Sequence, residues 1–229
     1  MKRAENLASL GNFIKTHDDL PESAKTLDTF DDMGRSAVVL AVSAMDQYFT
    51  RRFAELLVPF LKKHGATDDL VEFLEGAGFN TREALLAIGM SRPYRRIRTL
   101  VEAKFETYTT QKISVIDGLF VSIGLKDLCL RSQQKSGRAK LLVSIEDLVK
   151  RRHSIAHGGD LNKHGKLQPI DFTKLTKKLK DLRKFIECAE FIIEQRLKPT
   201  GKKATTKAAK KTVAKKKKTK RTRRSTTTA

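Results

Sequence analysis

Arg152 and His157 lie five residues apart in the run Lys150-Arg151-Arg152-His153-Ser154-Ile155-Ala156-His157-Gly158-Gly159. An arginine presents a rigid fork of donors to phosphate, and an imidazole moves protons near neutral pH. Directed at one phosphate, the two suffice for RNA cleavage without a metal. The run reads as the last turns of a helix stopped by a glycine pair. With Ile145 at zero and about 100° per residue, Leu148, Val149, Ile155 and Ala156 form an apolar arc, and Arg152 falls inside it. A buried charge needs an anion. The expected one is Asp46, or a bound phosphate in its place. His153 and His157 fall beyond the edge of the arc, where a groove wall is expected. Taken alone, an Arg152–Asp46 contact reads equally well as a structural ion pair, and the bare Arg–His spacing is common by chance.

Other elements must position this helix. Apolar residues at three- and four-residue intervals (Val38, Val42, Met45, Phe49, Phe53, Leu56, Phe60) predict a long helix from about Ser36 to Lys63. Asp46 borders its stripe. A short helix and an acidic loop with Asp18, Asp19, Pro21 and Glu22 precede it. Short helices are expected at 68–75 and 81–88, then at 93–108, then at 113–130 with a break near Gly124. Residues 132–137 read as a polar connection. Ser144 and Asp147 suggest a capping box opening the Arg-His helix. Asp171 is expected to cap a last helix carrying Leu175, Leu179, Leu182, Phe185, Ile186, Ala189, Ile192 and Ile193. With no long β-rich segment, the fold class is all-α.

Charge divides the chain. Fourteen of the net +21 charges fall in residues 198–229, which hold no Asp or Glu, leaving +7 for residues 1–197. We therefore divide the chain into an N-terminal helix and loop segment at 1–33, a helical domain at 34–197, and a Lys/Ala/Thr-rich tail at 198–229. The tail cannot bury enough apolar surface to offset chain entropy, so disorder is expected. In composition it is similar to the lysine-alanine tails of linker histones. Its Lys210, Lys211, Lys215, Lys216, Lys217, Lys218, Lys220, Arg221, Arg223 and Arg224 are the expected nucleic-acid contacts, RNA first and DNA second. The tail lacks apolar anchors for a membrane. Cys129 and Cys188 are isolated, and no apolar run approaches a membrane span, so a cytoplasmic protein is expected. The i, i+4 pair His153 and His157 lacks the pattern of a zinc site, Asp160 and His164 add little, and no phosphate loop or dinucleotide motif occurs. No metal or cofactor is expected. Arg92, Arg95, Arg96 and Arg98 around Tyr94 read as a solvated helix face before an RNA contact.

The run Arg152 to His157 resembles the signature helix of HEPN domains, whose motif is an arginine, a polar residue, three variable residues and a histidine. His153 occupies the polar position, which is usually asparagine. The long helix with Asp46 and the amphipathic helix after the glycines are similar to the RiboL-PSP branch, over residues 34–197. Gly159 stands where a nucleotidyltransferase-associated sub-branch carries tyrosine. The resemblance implies a HEPN-like helical bundle, metal-independent endoribonuclease activity with Arg152 and His157 catalytic and His153 and Asp46 supporting, a homodimer with both motifs in one cleft, and a role in defence, toxin–antitoxin systems or RNA turnover, with an antitoxin or other protein as partner.

Two other readings compete: a non-catalytic nucleic-acid-binding or partner-binding helical module, and a nucleoid-associated protein driven by its tail. Lysine contacts to phosphate carry no base information. Truncation at Pro199 is therefore expected to weaken RNA binding and flatten its salt dependence, which runs at about −0.7 per phosphate contacted on single strands. Any cut sites should stay unchanged. Binding measured across salt concentrations, with and without the tail, checks this.

Overall fold

The stripe predicted on the long helix is the axis around which the chain folds. The computed structural model describes residues 1–16, 28–76, 80–105 and 108–197. The acidic loop at Asp18–Glu22 and the basic tail lie outside the described residues, and the expected disorder of the tail with them. The described elements are α1 (Lys2–Thr16), α2 (Asp28–His64), α3 (Asp68–Gly76), α4 (Thr81–Ile88), α5 (Pro93–Phe105), α6 (Ile113–Val121), α7 (Leu128–Ser136), α8 (Leu141–Gly158) and α9 (Phe172–Leu197). No strand occurs among the described residues, only a lone antiparallel bridge between Leu161 and Leu167. The all-α helical bundle read from the sequence is the fold observed.

Val38, Val42, Met45, Phe49, Phe53 and Leu56 are all buried, because their spacing keeps one face of α2 continuous over about five turns. α1, α5, α6 and α8 pack directly against α2. Phe53 lies at the centre of a cluster of rings, with centroids 5.5 Å from Phe105, 5.7 Å from Phe73 and 6.2 Å from Phe120. Phe49 joins Phe120 and, at 5.5 Å, Phe185 of α9. The α9 stripe is buried as its periodicity predicted, with Ile186 partly covered. Polar contacts bind α9 to α2 as well. Arg52 grips both oxygens of Glu190 (3.0 and 2.7 Å), and the Tyr48 hydroxyl donates to the same carboxylate. Burial, and then Glu190, push the Tyr48 phenol well above its usual pKa, so it stays a donor.

α1 closes the bundle through Ala4 and Ala8, both buried. At Gly11 a β-carbon would lie 2.2 Å from Phe172 Cε1, so the close approach of α1 to the start of α9 requires glycine there.

Several boundaries differ from those the sequence suggests. α2 begins at Asp28 rather than near Ser36, across the expected division at 33/34, and the expected 113–130 helix is two, α6 and the start of α7. Residues 132–136 are the end of α7 rather than a connection. Their hydroxyls are satisfied inside the helix, Ser132 Oγ donating to Leu128 O and Ser136 Oγ to Gln133 O, both at 2.7 Å. At the start of α7, Asp117 of α6 accepts from Cys129 N at 2.9 Å, a cap from a neighbouring element. α8 starts at Leu141, three residues before the expected Ser144 cap. Ser144 donates to Asp181 and Asp147 accepts from Lys178, both on α9, so the two residues clasp helices together instead of opening one. Asp171 caps α9 as expected, accepting from Lys174 N at 2.9 Å.

Phe53 is fully enclosed by rings from α3, α5 and α6. Phe53→Ala is expected to lower stability by about 3–5 kcal/mol, read as a lower urea midpoint at unchanged slope.

Candidate functional site

α8 ends where its sequence says it must. Gly159 takes the left-handed backbone (φ 58°) that glycine adopts freely, and Asp160 takes it too (φ 62°). Asp160 N donates to Ser154 O at 3.1 Å, closing the last turn. The Asp160 side chain is 0% exposed and lies between two arginines. Arg35 Nε of α2 donates to its Oδ2 at 3.0 Å, and Arg151 Nη2 of α8 donates to the same oxygen at 2.6 Å. Both guanidiniums also bond the Gln168 carbonyl, at 2.9 and 3.0 Å. Burial works against the Arg35 charge most strongly, but Asp160 and Asp32 outweigh it and raise its pKa. This cluster fixes the end of α8 to α2 and to the segment leading into α9.

Beyond the cluster, Arg152, His153 and His157 open onto one cleft of about 1180 Å³. Its far wall is residues 109–112 and the first turns of α6, with Gln111, Lys112, Ser114 and Asp117. Arg152 is half-buried, and His153 and His157 are exposed. The imidazole centroids are 4.6 Å apart, with the rings tilted by 45°. Arg152 Nε is enclosed without a hydrogen-bond partner. Three permanent cations (Lys112, Lys150, Arg152) face two carboxylates (Glu146, Asp117) around the cleft, a balance that attracts anions.

The expected Arg152–Asp46 ion pair does not form. Asp46 Oδ1 accepts from Thr110 N at 2.6 Å and Thr110 Oγ1 at 2.7 Å, and Oδ2 accepts from Gln111 Nε2 at 3.1 Å. The nearby backbone donor and the two side-chain donors already occupy the carboxylate. Asp46 therefore holds the loop that forms the cleft wall, with Gln111 between it and the cleft. The buried arginine–carboxylate cluster belongs instead to the neighbouring Arg151, which sequence reasoning passed over together with Arg35 and Gln168, while Asp160 was weighed only as a metal ligand. Arg35 and Asp160 are 125 positions apart, and no local pattern announces such a pairing. Thr110 and Gln111 were likewise unmarked, since they lie in an irregular segment.

The structure thus brings Arg152, His153 and His157 together and leaves Asp46 one residue removed from them. Arg92, Arg95 and Arg96 are exposed, and Arg98 pairs with Glu102 at 2.8 Å, away from the cleft. The lysines and arginines singled out between Lys210 and Arg224 lie outside the described residues. Cys129 and Cys188 are free and buried. Burial, and then Asp117, push the Cys129 thiol far up, so it is a packing group rather than a nucleophile. Among the described residues, no group of three or more His, Cys, Asp or Glu side chains converges, and no helix is long and apolar enough to cross a membrane.

A family model described as RiboL-PSP-HEPN matches residues 2–195. The chain belongs to the RiboL-PSP-HEPN family. The match takes in α1, whereas the motif-based resemblance was read over residues 34–197 only. Membership in this HEPN family carries an RNase-like or otherwise nucleic-acid-related function. No curated protein and no solved structure matches the chain.

Asp160→Asn keeps the shape of the side chain and removes the charge that Arg35 and Arg151 share. It is expected to cost about 3 kcal/mol of stability, because the buried Arg35 keeps only the exposed Asp32 and the partly buried Arg151 loses its carboxylate. Urea denaturation of the purified variant checks this. A loss under about 1 kcal/mol would show that the cluster contributes no more than an exposed pair.

Proposed function

We propose that this HEPN protein is a metal-independent endoribonuclease that cuts RNA in the cleft of Arg152 and His157. One observation carries the reading: Arg152 enters that cleft with its Nε enclosed and unpaired, beside two histidines that face the same space. A buried donor without a partner is costly, and a phosphate oxygen is the acceptor that a guanidinium fork fits best.

The chemistry follows from the residue types. His157 takes part in proton transfer at the ribose 2′-hydroxyl or at the 5′-leaving oxygen. Arg152 stabilises the charge that builds on the phosphorane and holds the scissile phosphate against the imidazole. The 2′-oxygen attacks phosphorus, the 2′-O–P bond forms and the P–O5′ bond breaks. The products are a 2′,3′-cyclic phosphate and a 5′-hydroxyl. Asp46 supports the opposite wall through Thr110 and Gln111. RNA is the substrate, and no metal or other cofactor takes part. The reading extends to a homodimer whose cleft contains both copies of the motif, to phosphate contacts by the tail lysines and arginines, and to work in RNA turnover, antiphage defence or growth arrest, with an antitoxin or similar protein as restraint.

Purified protein in chelator is expected to cut single-stranded RNA and leave cyclic phosphate ends. His157→Ala and Arg152→Ala are each expected to lower kcat/KM by at least about 100-fold with helicity unchanged. Cleavage that requires added Mg²⁺ would overturn the mechanism. Tight RNA binding without cleavage under any condition would favour the non-catalytic module.

A further inference from the structure

Cleavage by transesterification needs two proton transfers, one from the 2′-hydroxyl and one to the 5′-oxygen. A single histidine can take part in only one of them at a time. His153 stands at a position where a side chain such as asparagine, with no proton to transfer near neutral pH, would do for hydrogen bonding alone. Here it is an imidazole, its ring centroid lies 4.6 Å from that of His157, and both rings open onto the cleft that Arg152 enters. On a helix the i, i+4 relation puts two side chains side by side, so both reach the same phosphate from one direction. The separation lets the rings splay, one toward each of the two reacting oxygens of a phosphate held between the helix and the facing wall.

We propose that His153 is the second acid–base group of the site, paired with His157 of the same chain. The inference rests on the ribonuclease reading above and assigns its second proton-transfer group to the same chain rather than to the other copy of the motif. The step balances within the pair. One neutral imidazole accepts the 2′-hydroxyl proton as the 2′-O–P bond forms, and the other, protonated, gives its proton to O5′ as the P–O5′ bond breaks. The two rings exchange protonation states, no water or metal is consumed, and proton exchange with solvent resets them. The charged groups around the pair are Glu146, Lys150 and Arg152 on α8, and Lys112 and Asp117 from the facing wall. The arginine supplies the fixed positive charge for the phosphorane, which leaves both imidazoles free for proton transfer.

The test compares wild type, His153→Asn and His157→Asn in chelator on a labelled RNA oligonucleotide, with kcat and KM measured across pH. His153 is exposed, so the fold should survive, and circular dichroism checks that it does. Wild type is expected to show a bell-shaped profile. His153→Asn should lower kcat by at least about 100-fold with KM changed less than about threefold, and should lose one limb of the bell. An RNA with sulfur in place of the scissile O5′, whose leaving group needs no proton, should restore cutting by whichever variant lacks the acid. His153→Asn with wild-type kcat and both limbs intact overturns the proposal. So does a sulfur substrate that rescues neither variant. If an equal mixture of the two inactive variants regains activity, the base and acid come from different chains and the same-chain pair is wrong. A wild-type protein that cuts no RNA fails at the earlier step and takes this inference with it.

Discussion

The Asp160 carboxylate, fully buried between Arg35 and Arg151, is the contact on which the site depends. It joins α2, the end of α8 and the strip of chain at Gln168 through one oxygen and one carbonyl. Burying two guanidiniums is unfavourable unless a carboxylate meets them with good geometry. Because that condition is fulfilled, the last turn of α8 cannot fray or rotate without separating charges in a low dielectric. His157 lies one turn before that anchor, so the anchor also limits where its imidazole points.

Two adjacent arginines have divided fates. Arg151 and Arg152 are about 100° apart around the helix, which sends the first to the Asp160 cluster and the second into the cleft. The first is neutralised and structural. The second makes no ion pair among the described residues, and its Nε, like that of Arg151, is enclosed without a partner. A site that must receive an anionic phosphate benefits from a cation that the protein has positioned without satisfying. Helical periodicity puts the two on different faces, and the pairing across the bundle decides which one is neutralised.

The opposite wall follows the same logic in milder form. Asp46 sits on the long central helix α2 and gives its carboxylate to Thr110 and Gln111. An irregular segment with no ladder of its own is thereby held by three hydrogen bonds to a helix that the aromatic core locks in place. Core packing around Phe49 and Phe53 thus reaches the cleft through Asp46, in a chain of contacts that needs no direct touch between Asp46 and Arg152.

The fold was largely legible in the chain itself. The stripes of α2 and α9 set which faces are buried, since a helix with apolar residues at three- and four-residue spacing has only one way to hide them. The glycine pair after His157 set where α8 stops, and the Arg-His run marked the chemistry. Those signals are local and periodic. Where local signals were weak or misleading, the structure differs: polar residues at 132–136 read as a connection because their side chains bond within the helix itself, and Ser144 with Asp147 read as a cap because their partners on α9 are invisible along the chain. The tertiary structure alone decided which arginine is neutralised, by which carboxylate, and what Asp46 holds. Each of those outcomes depends on a pairing across the bundle, and sequence patterns of period 3.6 report which face a residue occupies but not which distant residue will meet it there.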